Sequence, residues 1–154
     1  MKSKSGKFIL WFKEISKEDV PLVGGKNASL GEMFTKLTKK GINIPDGFAL
    51  TTNFYWKFLK ANGLEKTLKG FFKDFNQKSI KSIQETGRKC RDAISRGEFP
   101  GDLRREVFKD YSKLSLKYGE NPIVAVRTSG VAEDRPNASF ACQFETYLNV
   151  RGEE

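Results

Sequence analysis

Arg127 and Lys26 are the side chains whose type and setting best fit chemistry. Arg127 ends a short apolar, β-branched run, Ile123 to Val126, that follows Asn121-Pro122, and Thr128, Ser129 and Gly130 come directly after it. A guanidinium at a strand end, with hydroxyls and a glycine beside it, suits a phosphate, which it meets through paired hydrogen bonds. The same residues also allow a surface pairing of Arg127 with Glu133 or Asp134, worth only ~0–1 kcal/mol. Lys26 follows a glycine pair in Val23-Gly-Gly-Lys-Asn-Ala-Ser29, after which Leu30, Met33, Phe34 and Leu37 recur at helical spacing. Amides at a helix start attract an anion, glycines let it approach, and Lys26 adds a mobile charge. The spacing is not that of a P-loop. A glycine turn that packs helix against strand, with an exposed lysine, accounts for the tripeptide as well.

Composition narrows the chemistry. None of the 154 residues is histidine, which excludes an imidazole base, a Ser-His-Asp triad and a phosphohistidine within this chain. Cys90 and Cys142 stand in neither a zinc nor a redox spacing and are read as reduced thiols. No catalytic residue and no metal ligand is assigned. The net charge of +9 favours an anionic partner, but the lysines are spread evenly rather than gathered, which argues against a nucleic-acid groove. No apolar run approaches the ~20 residues of a membrane helix, and Phe8 to Phe12 is too short for a signal peptide, so a cytoplasmic protein is expected.

The elements that must position the two cations follow from periodicity. Phe8 to Phe12 reads as a first strand, and Ser16-Lys-Glu-Asp19 as a helix start stopped within a turn by Pro21. The glycine pair then opens the amphipathic helix that runs to Gly41. Phe48 to Thr51 reads as a strand after the Pro45–Gly47 turn, and Thr51 or Thr52 caps a helix with Phe54, Tyr55, Phe58 and Leu59 inward. A weaker helix spans Leu64 to Phe75. Two stronger ones follow, the first with Ile80, Ile83, Gly87, Cys90 and Ile94 on one face and the second with Leu103, Val107, Tyr111 and Leu114. With strands at 123–126 and up to Val150, the chain reads as one α+β unit over residues 1–154, a small mixed sheet with several packed helices.

These residues also carry a resemblance. Leu22-Val-Gly-Gly-Lys-Asn-Ala-Ser-Leu-Gly-Glu-Met33, Ile44-Pro-Asp-Gly-Phe-Ala-Leu-Thr-Thr52, Val126-Arg-Thr-Ser-Gly-Val-Ala-Glu-Asp134, Ala138-Ser-Phe-Ala-Cys-Gln143 and Glu145-Thr-Tyr-Leu-Asn-Val150 resemble the N-terminal part of the phosphoenolpyruvate synthase (pyruvate, water dikinase) family, relatives of pyruvate, phosphate dikinase. The resemblance spans about Leu10 to Arg151. It implies the first, incomplete lobe of an ATP-grasp domain. In that family ATP phosphorylates a histidine on a swivelling domain, and the phosphoryl group passes to pyruvate in a barrel-shaped domain; both domains lie outside this chain. Carried over by position, Lys26 and Arg127 reach the ATP phosphates, while Cys142 and Thr146 stand at nucleotide contacts. The segment Thr128 to Gln143 corresponds to a loop that closes over the triphosphate. Magnesium ligands are expected outside this chain, and the remaining dikinase domains are expected partners in trans.

The chain departs from the family pattern Arg-Ser-Ser-Ala-Thr-Ala-Glu-Asp-Leu-Pro at Thr128, Gly130, Val131 and Arg135, and Cys142 replaces a glycine. A β-carbon at Cys142 limits how closely a phosphate approaches. A second hypothesis therefore stands beside the first: a non-catalytic relic or basic module that binds a partner protein or nucleic acid.

Overall fold

The aromatic strand near the N-terminus closes onto the strand after the Pro45–Gly47 turn in a computed structural model that describes residues 4–131 and 145–152. β1 (Ile9–Trp11) pairs antiparallel with β2 (Phe48–Leu50), setting Leu10 opposite Ala49. Phe12 N–H donates to the Gly47 carbonyl at 3.0 Å and Thr51 N–H to the Phe8 carbonyl at 3.0 Å, extending the ladder at both ends. Leu10 and Ala49 point into a core shared with Ile15, Val23 and Ala28. Gly31 brings the helix close, since a β-carbon there would lie 2.6 Å from the Ile15 Cβ.

Pro21 does not stop the first helix. A 3-10 turn, Lys17–Asp19, leads directly into α1 (Val20–Leu37), where Pro21 sits in the first turn and its missing N–H costs no hydrogen bond. The interruption comes at Gly24, whose φ of 78° and ψ of 164° kink the helix, so the glycine pair opens its longer arm as expected. Asp19 secures the entry. Burial opposes its ionisation, but hydrogen bonds from Lys4 Nζ (2.6 Å), Ser16 N–H (2.7 Å) and Ser16 Oγ (2.9 Å) outweigh burial and hold its carboxyl below the usual range.

Thr51 is the cap of α2 (Thr52–Ala61), its hydroxyl accepting from Phe54 N–H at 3.4 Å. Phe54 and Leu59 are buried as expected, but Tyr55 is 45% exposed and lies off the inward face. α3 (Leu64–Phe71) ends before the expected Phe75. In α4 (Ile80–Ser95) the expected face holds only in its later turns: Ile80 and Ile83 are exposed, while Gly87, Cys90 and Ile94 are partly covered. Ser82 is partly covered and Thr86 is buried, and both border a concave surface shared with Gly70 and Phe71 of α3. α5 (Gly101–Tyr118) buries Leu103, Tyr111 and Leu114. It holds β1 through Trp11 Nε1, which donates to Asp110 Oδ1 at 3.2 Å, and the turn before β2 through Asp46 N–H, which donates to the Tyr118 hydroxyl at 2.7 Å.

β3 (Val124–Arg127) and β4 (Thr146–Val150) form a second antiparallel pair, with Arg127 opposite Thr146, Val126 opposite Tyr147 and a bulge between Val124 and Val126. The α+β class is as read from the sequence. The expected single mixed sheet is not: among the described residues the strands make two separate antiparallel ribbons. No helix among them is long and apolar enough to cross a membrane.

Candidate functional site

The two segments singled out for their cations meet at one point. Beyond β3 the chain turns toward the kink of α1, and Ser129 Oγ donates to the Val23 carbonyl at 2.8 Å. The same oxygen accepts from Asn27 N–H at 3.4 Å, while Asn27 Nδ2 donates to the Val23 carbonyl at 2.9 Å. Gly24 makes the approach possible. A β-carbon there would stand 2.4 Å from Ser129 Oγ and 2.6 Å from the Ser129 carbonyl oxygen, and its backbone angles are open in practice only to glycine. The residue after Lys26 is thus tied to the second residue after Arg127, although the two are 102 positions apart in the chain.

Lys26 is half-buried on the first turn of the longer arm of α1, whereas Arg127 and Thr146 are exposed. Arg127 and Thr146 are direct cross-strand neighbours, so their side chains share a face of the ribbon. At the loop end Thr128 holds the strands together, its N–H and its hydroxyl both donating to the Glu145 carbonyl, at 3.4 and 3.3 Å. The Tyr147 hydroxyl donates to the Glu145 carboxylate, and that bond raises its pKa. At the opposite end Tyr111 of α5 clasps both strands: its hydroxyl donates to the Pro122 carbonyl at 2.9 Å and accepts from Gly152 N–H at 3.0 Å.

Chemically, this junction offers a planar guanidinium and an ammonium on two segments fixed to each other, with hydroxyls nearby. Guanidinium, ammonium and hydroxyl groups are each donors of a type that hydrogen-bonds phosphate oxygens. Cys142 falls outside the described residues, as do Glu133, Asp134 and most of the segment from Thr128 to Gln143. Concave surfaces of about 360 Å³ between α3 and α4, and about 440 Å³ between β1 and α5, include none of Lys26, Arg127 or Thr146. The second is lined by charges already paired with each other, Lys7 with Glu14 and Lys113 with Asp110. Among the described residues no group of three or more His, Cys, Asp or Glu side chains could hold a metal ion.

Two contributors escape a reading of the sequence. Ser129 stands within Thr128-Ser-Gly130, but nothing local says that its partner is the kink of α1. Tyr111 reads as an apolar position, and its polar tip is the available signal, since a buried tyrosine hydroxyl seeks a partner. Several surface lysines are paired: Lys4 with Asp19, Lys57 with Asp102, Lys17 and Lys36 with Glu32, and Lys117 with Asp46. The Asp46 hydrogen bond also raises the pKa of Lys117.

Comparison with known proteins gives the junction a context. The profile of a family described as "Pyruvate phosphate dikinase, AMP/ATP-binding domain" matches residues 20–154. The phosphoenolpyruvate synthase of Aquifex aeolicus is 45% identical over 152 residues, covering 98% of this chain and 18% of the relative. That of Synechocystis sp. is 45% identical over 152 residues, covering 96% and 19%. That of Escherichia coli is 38% identical over 148 residues, covering 96% and 19%. The chain therefore spans less than a fifth of the length of these relatives.

Proposed function

The chain belongs to the pyruvate phosphate dikinase AMP/ATP-binding domain family, and from that premise we propose that it is the first lobe of an ATP-grasp domain whose Lys26 and Arg127 hold the phosphates of ATP. The observation that carries this reading is the Ser129 junction, which fixes the Arg127 strand end to the helix turn bearing Lys26. Two cations on rigid, mutually fixed segments offset phosphate charge with little reorganisation when the ligand binds. Thr146, opposite Arg127 in the ribbon, and Cys142 complete the nucleotide contacts in this reading.

ATP supplies the phosphoryl group; the side chains of this chain bind and orient it. Magnesium would be held by the phosphates and by carboxylates outside this chain. The wider activity follows the relatives, whose name is phosphoenolpyruvate synthase: transfer to a histidine on another domain and from there to pyruvate, in the cytoplasm, with the remaining domains as partners in trans. The exposed side chains of the β3–β4 ribbon, Val126 and Tyr147 on one face and Leu148 on the other, mark the ribbon as the element on which such a partner would pack. Several of the lysines that the basic-module alternative would use are paired with carboxylates, Lys4 with Asp19, Lys57 with Asp102 and Lys117 with Asp46, whereas the Ser129 junction ties together the two segments on which the ATP reading depends.

Titration of the chain with Mg-ATP, followed by amide chemical shifts, tests the proposal. Arg127→Ala and Lys26→Ala are each expected to weaken binding roughly tenfold, the loss of one charge-assisted contact. Shift changes that persist undiminished in both variants would sink the phosphate role.

A further inference from the structure

The geometry points to Ser129 as a positioning residue for the phosphate ligands, acting as a helix cap supplied from a distant segment; this rests on the reading of Lys26 and Arg127 above. Helix α1 starts afresh after Gly24, and the first N–H groups of any helix lack partners inside it. A Ser, Thr, Asp or Asn at the cap position normally supplies the acceptor. Gly24 has no side chain to do so. Ser129 takes over the task, accepting from Asn27 N–H while its own proton goes to the Val23 carbonyl on the other side of the kink.

The fit is specific to this pair of residues. Gly24 keeps a backbone that other residues rarely adopt, and the space its missing β-carbon leaves is filled by the Ser129 hydroxyl and carbonyl. One hydroxyl thus bridges the two arms of α1 and holds the β3 end against them. Without it, Lys26 keeps its helix and Arg127 keeps its strand, which Thr128 and Glu145 still close. What is lost is the fixed relation between the two cations. A polyphosphate that must engage both then has to order them as it binds, and affinity falls accordingly.

Inorganic tripolyphosphate is the probe, titrated into the 154-residue chain and read by amide chemical shifts, with amide hydrogen exchange measured alongside. Ser129→Ala is expected to speed exchange at the Asn27 amide and to weaken tripolyphosphate binding about fivefold, the equivalent of one ordinary hydrogen bond. A double-mutant cycle between Lys26→Ala and Arg127→Ala supplies a readout that a merely structural role would not move. Coupling between the two cations should be present when Ser129 is intact and should vanish when the cycle is repeated in the Ser129→Ala background. Three results overturn the inference while leaving the phosphate reading intact: unchanged exchange at Asn27, unchanged affinity or coupling in Ser129→Ala when Lys26→Ala and Arg127→Ala both weaken binding, or global unfolding of Ser129→Ala. Tripolyphosphate binding that neither cation variant weakens, or no binding at all, brings down the phosphate reading and the positioning role with it.

Discussion

In the ribbon of β1 and β2, Leu10 is completely enclosed and Ala49 is 3% exposed; in the ribbon of β3 and β4, the opposed Val126 and Tyr147 are 50% and 57% exposed and Leu148 is 67% exposed. Both are antiparallel pairs of short strands, and an isolated pair of this kind is marginal in water. The first is stabilised by one face packed on Ile15, Val23 and Ala28. Among the described residues, the hydrogen bonds that tie the second to the rest of the chain are at its ends: Tyr111 at the base and Ser129 at the loop, where Thr128 also closes the two strands on each other. The difference teaches where rigidity in the candidate site comes from. Lys26 stands on an element fixed by the core, and Arg127 stands on one fixed by a few hydrogen bonds.

The largest effect should follow from attacking the packed ribbon. Leu10→Ala removes a fully enclosed side chain and leaves a cavity, and is expected to cost about 2–5 kcal/mol in urea unfolding. Val126→Ala, the matching truncation in the other ribbon, should stay within about 0.5 kcal/mol. Equal losses at the two positions would erase the contrast. A smaller but more local effect is expected of Tyr111→Phe, which keeps the ring in the core and deletes a hydroxyl that makes two hydrogen bonds. Stability should fall by about 1–2 kcal/mol. The decisive readout is hydrogen exchange: the amides of Val124–Arg127 should speed up while those of Ile9–Trp11 do not.

Much of this is legible in the sequence, for reasons that the two ribbons also separate. Local signals suffice for the strands around Leu10 and Ala49, the cap at Thr51 and the period of Leu103, Tyr111 and Leu114. The sequence misleads where distant contacts decide. The apolar run of α4 suggests a buried face that begins at Ile80 and Ile83, but both are exposed and cover starts at Ser82 and Thr86, a boundary that only tertiary contact sets. Pro21 reads as a stop because nothing local announces the 3-10 turn that makes it a first-turn residue. At the candidate site, residue types and motif position single out Lys26, Arg127 and Thr146. The junction that relates them depends on a hydroxyl and a glycine more than 100 residues apart, a pairing that no periodicity records.

The smallest expected effect is the most informative about the exposed ribbon. Leu148 lies two residues from Thr146 along β4, so it shares the face that carries Arg127, and there it meets water. Leu148→Ser deletes apolar surface that this chain does not bury, so its unfolding free energy should change by less than about 0.5 kcal/mol. An exposed apolar ribbon is otherwise a liability, since its edges invite pairing with another strand. The +9 charge opposes pairing between copies of this chain, and in the reading proposed above a partner supplied in trans is the cover. Leu148→Ser should then weaken association with the partner proposed in trans, measured by calorimetric titration, roughly tenfold for one lost buried leucine. A loss of stability comparable to that of Leu10→Ala would mean that the chain itself covers Leu148, and the distinction between the two ribbons would collapse. Unchanged stability together with unchanged association would keep the distinction but move the partner to another face.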